Sequence, residues 1–199
     1  MDKSQNQFSN PQAILLTPDA DSTPAPDWIE KSVRALSSGA DVVCGTIDGD
    51  PKEIAALPEP LKLRGADEAE YMRLTLELSA GLDPLPHLPY PHHGTVSGAN
   101  LAFSQLVYRD IGGMPAVPCG EDRAFVRRAE ARDWRIGFHD DVRVTTSYRL
   151  TGRARGGMAD TIARRIEDPE APCDEMLEPA TTAYLRAWSR GRLRRAKAG

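Results

Sequence analysis

Residues 14–47, ILLTPDADSTPAPDWIEKSVRALSSGADVVCGTI, decide the fold because two apolar runs flank a helical pattern there. The run Ala13–Leu16 is short and lies between prolines, which is typical of a buried strand. A helix is predicted from Pro26, since proline and aspartate suit a first helical turn, and Gly39 can end it. Its predicted inward stripe is Ile29, Val33 and Leu36. The β-branched run 41–47 predicts a second strand, so the segment forms a βαβ unit, which implies a parallel sheet.

The rest of the chain continues this alternation of helices and strands. A helix is predicted over Asp67–Ser79 with Gly81 as its end, and the four prolines within residues 83–93 predict a loop. The remaining predicted elements are a strand at 94–103, a helix at Glu121–Arg132, strands at 135–139 and 142–147, and helices at Met158–Glu167 and Thr181–Arg195. The sequence therefore predicts a mixed α/β protein, in which a mainly parallel sheet is flanked by helices.

Size, charge and cysteine content narrow the class of protein. The 199 residues suffice for one domain with a core, and the net charge of −4 argues against a general nucleic-acid binder. No run approaches the roughly 18 apolar residues of a membrane span. The polar start MDKSQNQFSN lacks the apolar stretch of a secretory signal. The three cysteines are odd in number and far apart, which predicts reduced thiols in a cytoplasmic protein.

Asp19 and Asp21 follow the first strand directly, at the end where ligands bind in open α/β sheets. In an extended segment, side chains two residues apart point to the same side, so the two carboxylates repel each other without a cation nearby. Mg²⁺ and Mn²⁺ take oxygen ligands and commonly combine one or two protein carboxylates with phosphate oxygens. The pair therefore indicates a divalent cation held between the protein and a diphosphate. The alternative is that one aspartate caps the next helix and the other is solvated.

Several segments together resemble glycosyltransferase family 2, whose members have the GT-A fold. TPDADSTPAPDW (17–28) is similar to that family's metal-binding DxD segment. The later segments that resemble its further blocks are SGANLAFS (97–104), YRDIGGMPAVPCGEDRAF (108–125) and VTTSYRLTGRARGG (144–157). The resemblance extends from about residue 13 to about residue 161. It implies a GT-A-like catalytic core at 13–157, between a polar segment at 1–12 and a basic helical extension at 158–199.

The resemblance also implies an activity and roles for the acidic residues. Family members mostly invert the anomeric centre as they move a sugar from a nucleotide diphosphate to an acceptor hydroxyl. Asp19 would face the donor ribose or the metal, and Asp21 would be the more direct ligand of Mg²⁺ or Mn²⁺. Glu121 and Asp122 match the pair that supplies the catalytic base, with Asp122 favoured. The helix dipole alone also explains two acids at a helix start.

The same resemblance implies which residues contact the sugar donor and the acceptor. Gly98, Ala99 and Asn100 match a small-residue strand beneath the donor sugar and acceptor, where Asn100 would hydrogen-bond the substrate; tight packing is the alternative for the glycine. Further along the chain, Arg149, Arg153 and Arg155 lie where the family often places basic residues near the diphosphate, although solvated surface arginines would look the same.

Two further features are open to more than one interpretation. His87, His92 and His93 crowd into HLPYPHH (87–93), which favours an acceptor-facing loop over a zinc site, because prolines interrupt the run and ligand spacing is absent. His139, after a strand, loosely matches a metal-binding histidine of the family, and a plain strand-end histidine is the alternative. The C-terminal AYLRAWSRGRLRRAKAG is amphipathic and basic. It is interpreted either as a peripheral contact to an anionic membrane or lipid-linked acceptor, or as a solvated terminal helix.

Family members begin with an earlier βαβ half that binds the nucleotide base. In this chain only twelve residues precede the first predicted strand. The expectation is a start that is too late, a truncated gene, or a second chain that supplies the missing half, as a partner or in an oligomer. Three functions stay open on these grounds. They are a metal-dependent glycosyltransferase with a nucleotide-sugar donor and an unknown acceptor, a non-catalytic GT-A-like module, and a Mg²⁺-dependent phosphotransfer enzyme.

Overall fold

The computed structural model describes residues 13–148, 158–168, 171 and 177–198. The chain divides into two compact units. The sheet unit contains residues 13–48 and 93–147, and the helical unit contains residues 49–92 together with the described residues from 148 onward. The boundaries predicted after residues 12 and 157 border segments outside the described residues, and that three-part division stays a prediction.

A five-stranded sheet forms the sheet unit, in the spatial order β1-β4-β3-β5-β2. Its strands are β1 (Ile14–Thr17), β2 (Ser22–Pro24), β3 (Val42–Gly49), β4 (Leu101–Ser104) and β5 (Ile136–Thr146). β4 is antiparallel to both of its neighbours, with Ala102 opposite Leu16 of β1 and opposite Val43 of β3. β2 pairs antiparallel with the far end of β5, where Ser22 lies opposite Thr146.

The mixed α/β class predicted from the sequence is confirmed, and the strand pairing corrects its mainly parallel sheet. β1 and β3 do run in the same direction, as a βαβ unit requires, but β4 lies between them and opposes both. β3 and β5 also run in the same direction, because Val42 N–H donates to the Arg135 carbonyl while Gly45, further along, approaches the Val142 carbonyl. The sheet is therefore mixed, with three antiparallel pairings and one parallel pairing.

In the sheet unit, helix α1 (Trp28–Ser37) lies between β2 and β3, and two further helices follow β4. In the described part of the chain, the α-helices in chain order are α1, α2 (Pro51–Ala55), α3 (Glu59–Leu82), α4 (Gln105–Asp110), α5 (Glu121–Glu130), α6 (Met158–Glu167) and α7 (Ala180–Ala198). α6 has the predicted bounds, whereas α3 extends well beyond Asp67–Ser79 and contains Gly81. Among these helices and the other described residues, none is both long and apolar enough to cross a membrane.

Two of the predicted strands differ from the observed ones. The strand predicted at 94–103 begins only at Leu101, because Gly98–Asn100 form a 3-10 turn in which the Ser97 hydroxyl accepts the Ala99 N–H. The two strands predicted at 135–139 and 142–147 are one continuous strand, β5. Asp140 and Asp141, which separate the two predicted strands, lie within β5.

Alternation along the central strands divides the core of the sheet unit between the two sheet faces. Val42 and Cys44 of β3 face one side with Phe125 of α5, and Val43 faces the other side with Trp28 of α1. The inward face of α1 differs from the predicted stripe. Its buried residues are Trp28, Ser32 and Ala35, whereas Ile29 is 62% exposed.

The four residues between β1 and β2 cross the end of the sheet, because these two strands lie at opposite edges. Four strand spacings would separate the edges by about 19 Å in a flat sheet. The five residue steps from Thr17 to Ser22 reach about 18 Å when fully extended. A turn, in which Ser22 N–H donates to the Asp19 carbonyl (3.0 Å), shortens that reach. The sheet must therefore curl so that its edges approach, and the segment 18–21 spans the carboxyl ends of β1, β3 and β5.

Candidate active site at the end of the sheet

Asp19 and Asp21 both lie on this crossing segment, and both are exposed. The segment is held at each end by a strand, since β1 pairs with β4 and β2 pairs with β5. Ser22 adds a side-chain hydrogen bond from its hydroxyl to that of Thr146 (3.2 Å). The pair lies directly after β1, as the sequence predicts, whereas ligand binding at this end of the sheet stays a prediction.

Asp122, in the first turn of α5, is tied to the turn that precedes β4. Its Oδ2 accepts a hydrogen bond from the Gly98 N–H (2.8 Å), and its Oδ1 accepts one from the Arg123 N–H (2.6 Å). Gly120 leads into α5 with a φ of +76°, a conformation that suits glycine. Two residues singled out from the sequence, Gly98 and Asp122, are thus in direct contact, and the carboxylate has a defined orientation.

The electrostatics of Asp19 indicate that the crossing segment and the start of α5 lie close to each other. The pKa of Asp19 is raised, first by partial desolvation of its carboxyl group and then by the charges of Asp21, Asp122 and Glu121. Two acids from the crossing segment and two from the start of α5 therefore lie near enough to repel one another. Such a cluster favours a bound cation, because a cation relieves the repulsion that raises this pKa.

The donor set restricts the kind of cation site that these residues can form. Among the described residues, no group of three His, Cys, Asp or Glu side chains is placed to hold a metal ion. A closed all-protein cage is therefore absent from the described part of the chain. Two neighbouring carboxylates do suit Mg²⁺ or Mn²⁺, which usually complete their coordination with water and substrate phosphate oxygens.

Asn100 is predicted to contact the substrate, but its side chain lies in the protein interior. Its side chain is buried; Oδ1 accepts the Trp28 indole N–H (2.8 Å), and Nδ2 donates to the carbonyls of Thr46 (2.8 Å) and Val142 (2.9 Å). Both amide hydrogens are thus used within the protein. Asn100 joins α1, β3 and β5 beneath the site, and Ala99 beside it is also buried.

Gly45 and Trp28 support this amide, and neither had a predicted role. A Cβ atom at Gly45 would lie 2.3 Å from Asn100 Nδ2 and 2.4 Å from the Val142 carbonyl oxygen. The strand therefore needs glycine at this position for the amide to fit. A glycine inside an otherwise apolar, β-branched strand is a signal for close backbone approach that could have identified it.

The histidine-rich loop ends on an inward-facing residue. His93 Nδ1 accepts the Thr95 N–H (3.1 Å), so Nε2 carries the proton and donates to the Cys44 carbonyl (3.2 Å). The ring packs edge-on against Phe138 at a centroid distance of 5.3 Å. Burial lowers the pKa of His93. The geometry assigns His93 a role in the fold, whereas the acceptor-facing role predicted for His87 and His92 stays a prediction.

The three predicted diphosphate-binding arginines, Arg149, Arg153 and Arg155, lie outside the described residues. Among the described arginines of the sheet unit, Arg143 is bidentate to Asp48, with distances of 2.9 and 2.6 Å. Its guanidinium group is thereby committed to an intramolecular ion pair.

Comparison with known proteins supports one family. Residues 6–94 match the family model for glycosyl transferase family 2. The matched range includes Asp19 and Asp21 and ends before Gly98 and Asp122. A search of curated proteins found no match to the chain.

Proposed function

The chain is assigned to glycosyltransferase family 2 through residues 6–94, and from this premise we propose that it transfers a sugar from a nucleotide diphosphate to an acceptor hydroxyl. Membership in this family indicates glycosyltransferase activity in general. The donor class, the cation dependence and the inversion of the anomeric centre are the finer parts of the proposal.

The observation that supports the proposal most directly is the acidic environment of Asp19, whose pKa is raised by partial burial and then by the charges of Asp21, Asp122 and Glu121. Asp19 and Asp122 come from segments about one hundred positions apart in the chain. A base for the acceptor and a site for the leaving diphosphate must lie on either side of one anomeric carbon. The crossing segment and the start of α5 supply carboxylates for both.

Asp122 is proposed as the general base. Its two oxygens each accept one backbone N–H, and each keeps a further lone pair. The acceptor hydroxyl gives its proton to this carboxylate as its oxygen forms a bond to the anomeric carbon, and the bond from that carbon to the diphosphate oxygen breaks. A single displacement of this kind inverts the anomeric centre. Glu121 lies beside this base and adds to the negative charge around it.

Asp21 and Asp19 are proposed to hold Mg²⁺ or Mn²⁺ jointly with the donor diphosphate. A divalent cation bound there supplies Lewis-acid stabilisation of the charge on the leaving diphosphate. The exposed position of both carboxylates leaves room for phosphate oxygens and water, which the cation requires in addition to the two aspartates.

A non-catalytic GT-A-like module is the alternative. The observation that favours it is the absence, within the described ranges, of three potential ligands gathered for a metal ion. Such a module would bind neither a nucleotide sugar nor a cation at Asp19 and Asp21. The two functions are therefore separated by a binding measurement, with no need to know the acceptor.

Isothermal titration of the whole chain with a panel of nucleotide diphosphate sugars, with and without Mn²⁺, tests the proposal. We expect Mn²⁺-dependent binding of at least one donor, a loss of about tenfold or more in affinity for Asp21→Asn, and no change for Glu30→Gln, an exposed acid on α1. Absence of binding to every donor supports the non-catalytic module instead. Binding that Asp21→Asn leaves unchanged removes the crossing segment from the site.

A further inference from the structure

The Trp28 indole forms a buried hydrogen bond that joins α1 to the turn beside the proposed base. Its N–H donates to Asn100 Oδ1 over 2.8 Å, and both residues are buried. A buried indole N–H and a buried amide oxygen each need a partner, because leaving either one unpaired lowers the stability of the fold. The bond therefore holds the two side chains in one arrangement, although they lie 72 positions apart in the chain.

Two strands hold the other end of the Asn100 amide. Its Nδ2 donates to the carbonyls of Thr46 on β3 (2.8 Å) and Val142 on β5 (2.9 Å). With two bonds as donor and one as acceptor, the amide has a defined plane and a defined position. Two of these three partners are backbone carbonyls, and the third is the Trp28 side chain, so Trp28 is the partner that a substitution can remove.

Asn100 is also the last residue of the 3-10 turn Gly98–Asn100, which carries the hydrogen bond to Asp122. Within this turn, Asn100 N–H donates to the Ser97 carbonyl (3.1 Å), and Ala99 N–H donates to the Ser97 hydroxyl (3.3 Å). Gly98 packs on the base, because a Cβ atom there would lie 3.8 Å from Asp122 Cβ. The turn is only three residues long, so a displacement of Asn100 also displaces the Gly98 N–H.

We propose that Trp28 is a positioning residue that acts on Asp122 through the buried Asn100 amide. The turn that ends at Asn100 passes the position of this amide to the Gly98 N–H, which orients the carboxylate. The inference rests on the proposed function, in which Asp122 is the general base. Proton transfer depends steeply on geometry, since a displacement of about 1 Å can lower a rate about 10²-fold.

Trp28 is tied to the strands that anchor the proposed cation ligands. It begins α1 shortly after β2, and β2 directly follows Asp21. The Trp28 backbone N–H donates to the Ala25 carbonyl (2.9 Å), and the Ala25 N–H donates to the Arg143 carbonyl on β5 (3.0 Å). β5 is also the strand that pairs with β2. Trp28 therefore relates the position of the base to the strand pair that holds the crossing segment.

Amide hydrogen exchange of the whole chain, followed by NMR, tests this linkage without an activity assay. Trp28→Phe keeps an aromatic ring and removes the indole N–H. The exchange rate of the Gly98 N–H should rise about 3- to 10-fold, the factor that corresponds to one hydrogen bond. Trp134→Phe is the matched control, because it removes an indole N–H that donates to Asp110 (2.8 Å). This control should leave the Gly98 exchange rate within about twofold of the parent rate.

Enzyme kinetics test the effect on the base. The reaction is hydrolysis of the nucleotide diphosphate sugar that binds in the titration, with Mn²⁺ present and water as the acceptor. Trp28→Phe should lower kcat about tenfold or more and leave the dissociation constant of the donor unchanged, because Asp122 acts on the acceptor. A role in stability alone would lower the folded fraction without changing kcat per folded molecule. Trp134→Phe should preserve both quantities.

Ser97→Ala is a second variant that loosens the same turn. It removes the hydroxyl that accepts the Ala99 N–H, and the side chain is only partly buried, so the cost in stability is smaller. We expect the same rise in Gly98 exchange and the same loss of kcat at constant donor affinity. Circular dichroism melting establishes which variants are folded, and Ser97→Ala decides the outcome if Trp28→Phe is not.

Two outcomes overturn the inference while donor binding leaves the proposed function in place. One is a Gly98 exchange rate that rises equally in Trp28→Phe and Trp134→Phe. The other is a kcat that folded Trp28→Phe or Ser97→Ala leaves unchanged. Absence of donor binding by the parent chain overturns the proposed function instead, and the catalytic consequence of Trp28 with it. The exchange rates then still decide whether Trp28 holds the contact between Gly98 and Asp122.

Discussion

The Asp122 carboxylate accepts a hydrogen bond of 2.8 Å from the backbone N–H of Gly98, 24 residues earlier in the chain. This contact joins the start of α5 to the turn before β4. Both hydrogen bonds to the Asp122 carboxylate come from backbone N–H groups, of Gly98 and of Arg123, and together they give the side chain a defined orientation.

Asp122→Asn is expected to reduce kcat by about 10²- to 10⁴-fold, because the amide keeps the size of the side chain but cannot take a proton from the acceptor. The melting temperature should change little by comparison. Steady-state kinetics at saturating donor measures the effect. Glu121→Gln is the matched control, and a larger loss in that variant would assign the base to Glu121 instead.

Asp19→Asn is expected to raise the melting temperature slightly at pH 7, on the order of 1 °C, because it removes a carboxylate that is partly desolvated and that its acidic neighbours repel. The folded-state pKa of Asp19 lies above its ordinary value of 3.8, so its ionised form opposes folding at neutral pH. That unfavourable contribution falls as the pH drops through the raised folded pKa and is gone below 3.8. The advantage of the variant should therefore shrink between neutral pH and pH 3.8.

Thermal melts of Asp19→Asn and the parent chain across this pH range check the sign. Glu30→Gln provides the control for an exposed acid on α1. An advantage of Asp19→Asn that grows toward acid pH would show that the four carboxylates do not interact as described.

Gly45→Ala should destabilise the fold by about 3 kcal/mol or more, because the added methyl group would overlap the Asn100 amide and the Val142 carbonyl. Denaturant unfolding measures the change. Gly65→Ala is the matched control, since a Cβ atom there meets nothing within 4 Å in the interior of α3. That substitution should stabilise the helix by about 0.5–1 kcal/mol. Equal effects at both positions would mean that Asn100 does not require the space at Gly45.

His93 is expected to make the stability of the sheet unit depend on pH. Protonation of Nδ1 removes the acceptor of the Thr95 N–H, and burial lowers the folded-state pKa below its ordinary value of 6.5. The neutral ring contributes its full stability above pH 6.5. This contribution is lost as the pH falls from 6.5 through the lowered folded pKa, because the unfolded chain takes up the proton first.

Melting curves between pH 7.5 and 5 measure this loss, with those limits set about one unit above and below the ordinary histidine pKa. His93→Gln should lower stability at neutral pH and flatten the dependence, and His87→Gln, at an exposed position, should preserve it. A dependence unchanged in His93→Gln would assign the titration to another group.

The local parts of the fold could be predicted from the sequence, because capping residues and apolar spacing act over a few positions. Met158–Glu167 has the predicted bounds, and α5 begins at Glu121 as expected. The inward face of α1 could not be predicted in this way. Two apolar stripes compete on that helix, and the Asn100 amide, 72 residues later, determines that Trp28 is buried rather than Ile29.

The sequence predicts which residues belong to the candidate site, but it does not predict the role of each one. The acidic pair after β1 has a local signal, and the pairing of Asp122 with these residues was inferred from a family resemblance. The sheet order that inserts β4 between β1 and β3 depends on contacts between distant segments. For the same reason, the structural role of Asn100 was not apparent, since its three partners lie in three different elements.

The segment 18–21 carries the acids and also bridges the two edges of the curled sheet. Its length is thus subject to two requirements at once. One inserted residue would lengthen this connection and let Asp19 move away from α5, so we expect the stability of the sheet and the proposed cation affinity to decline together in such a variant. Loop-length variation, which most surface connections tolerate freely, should be poorly tolerated here.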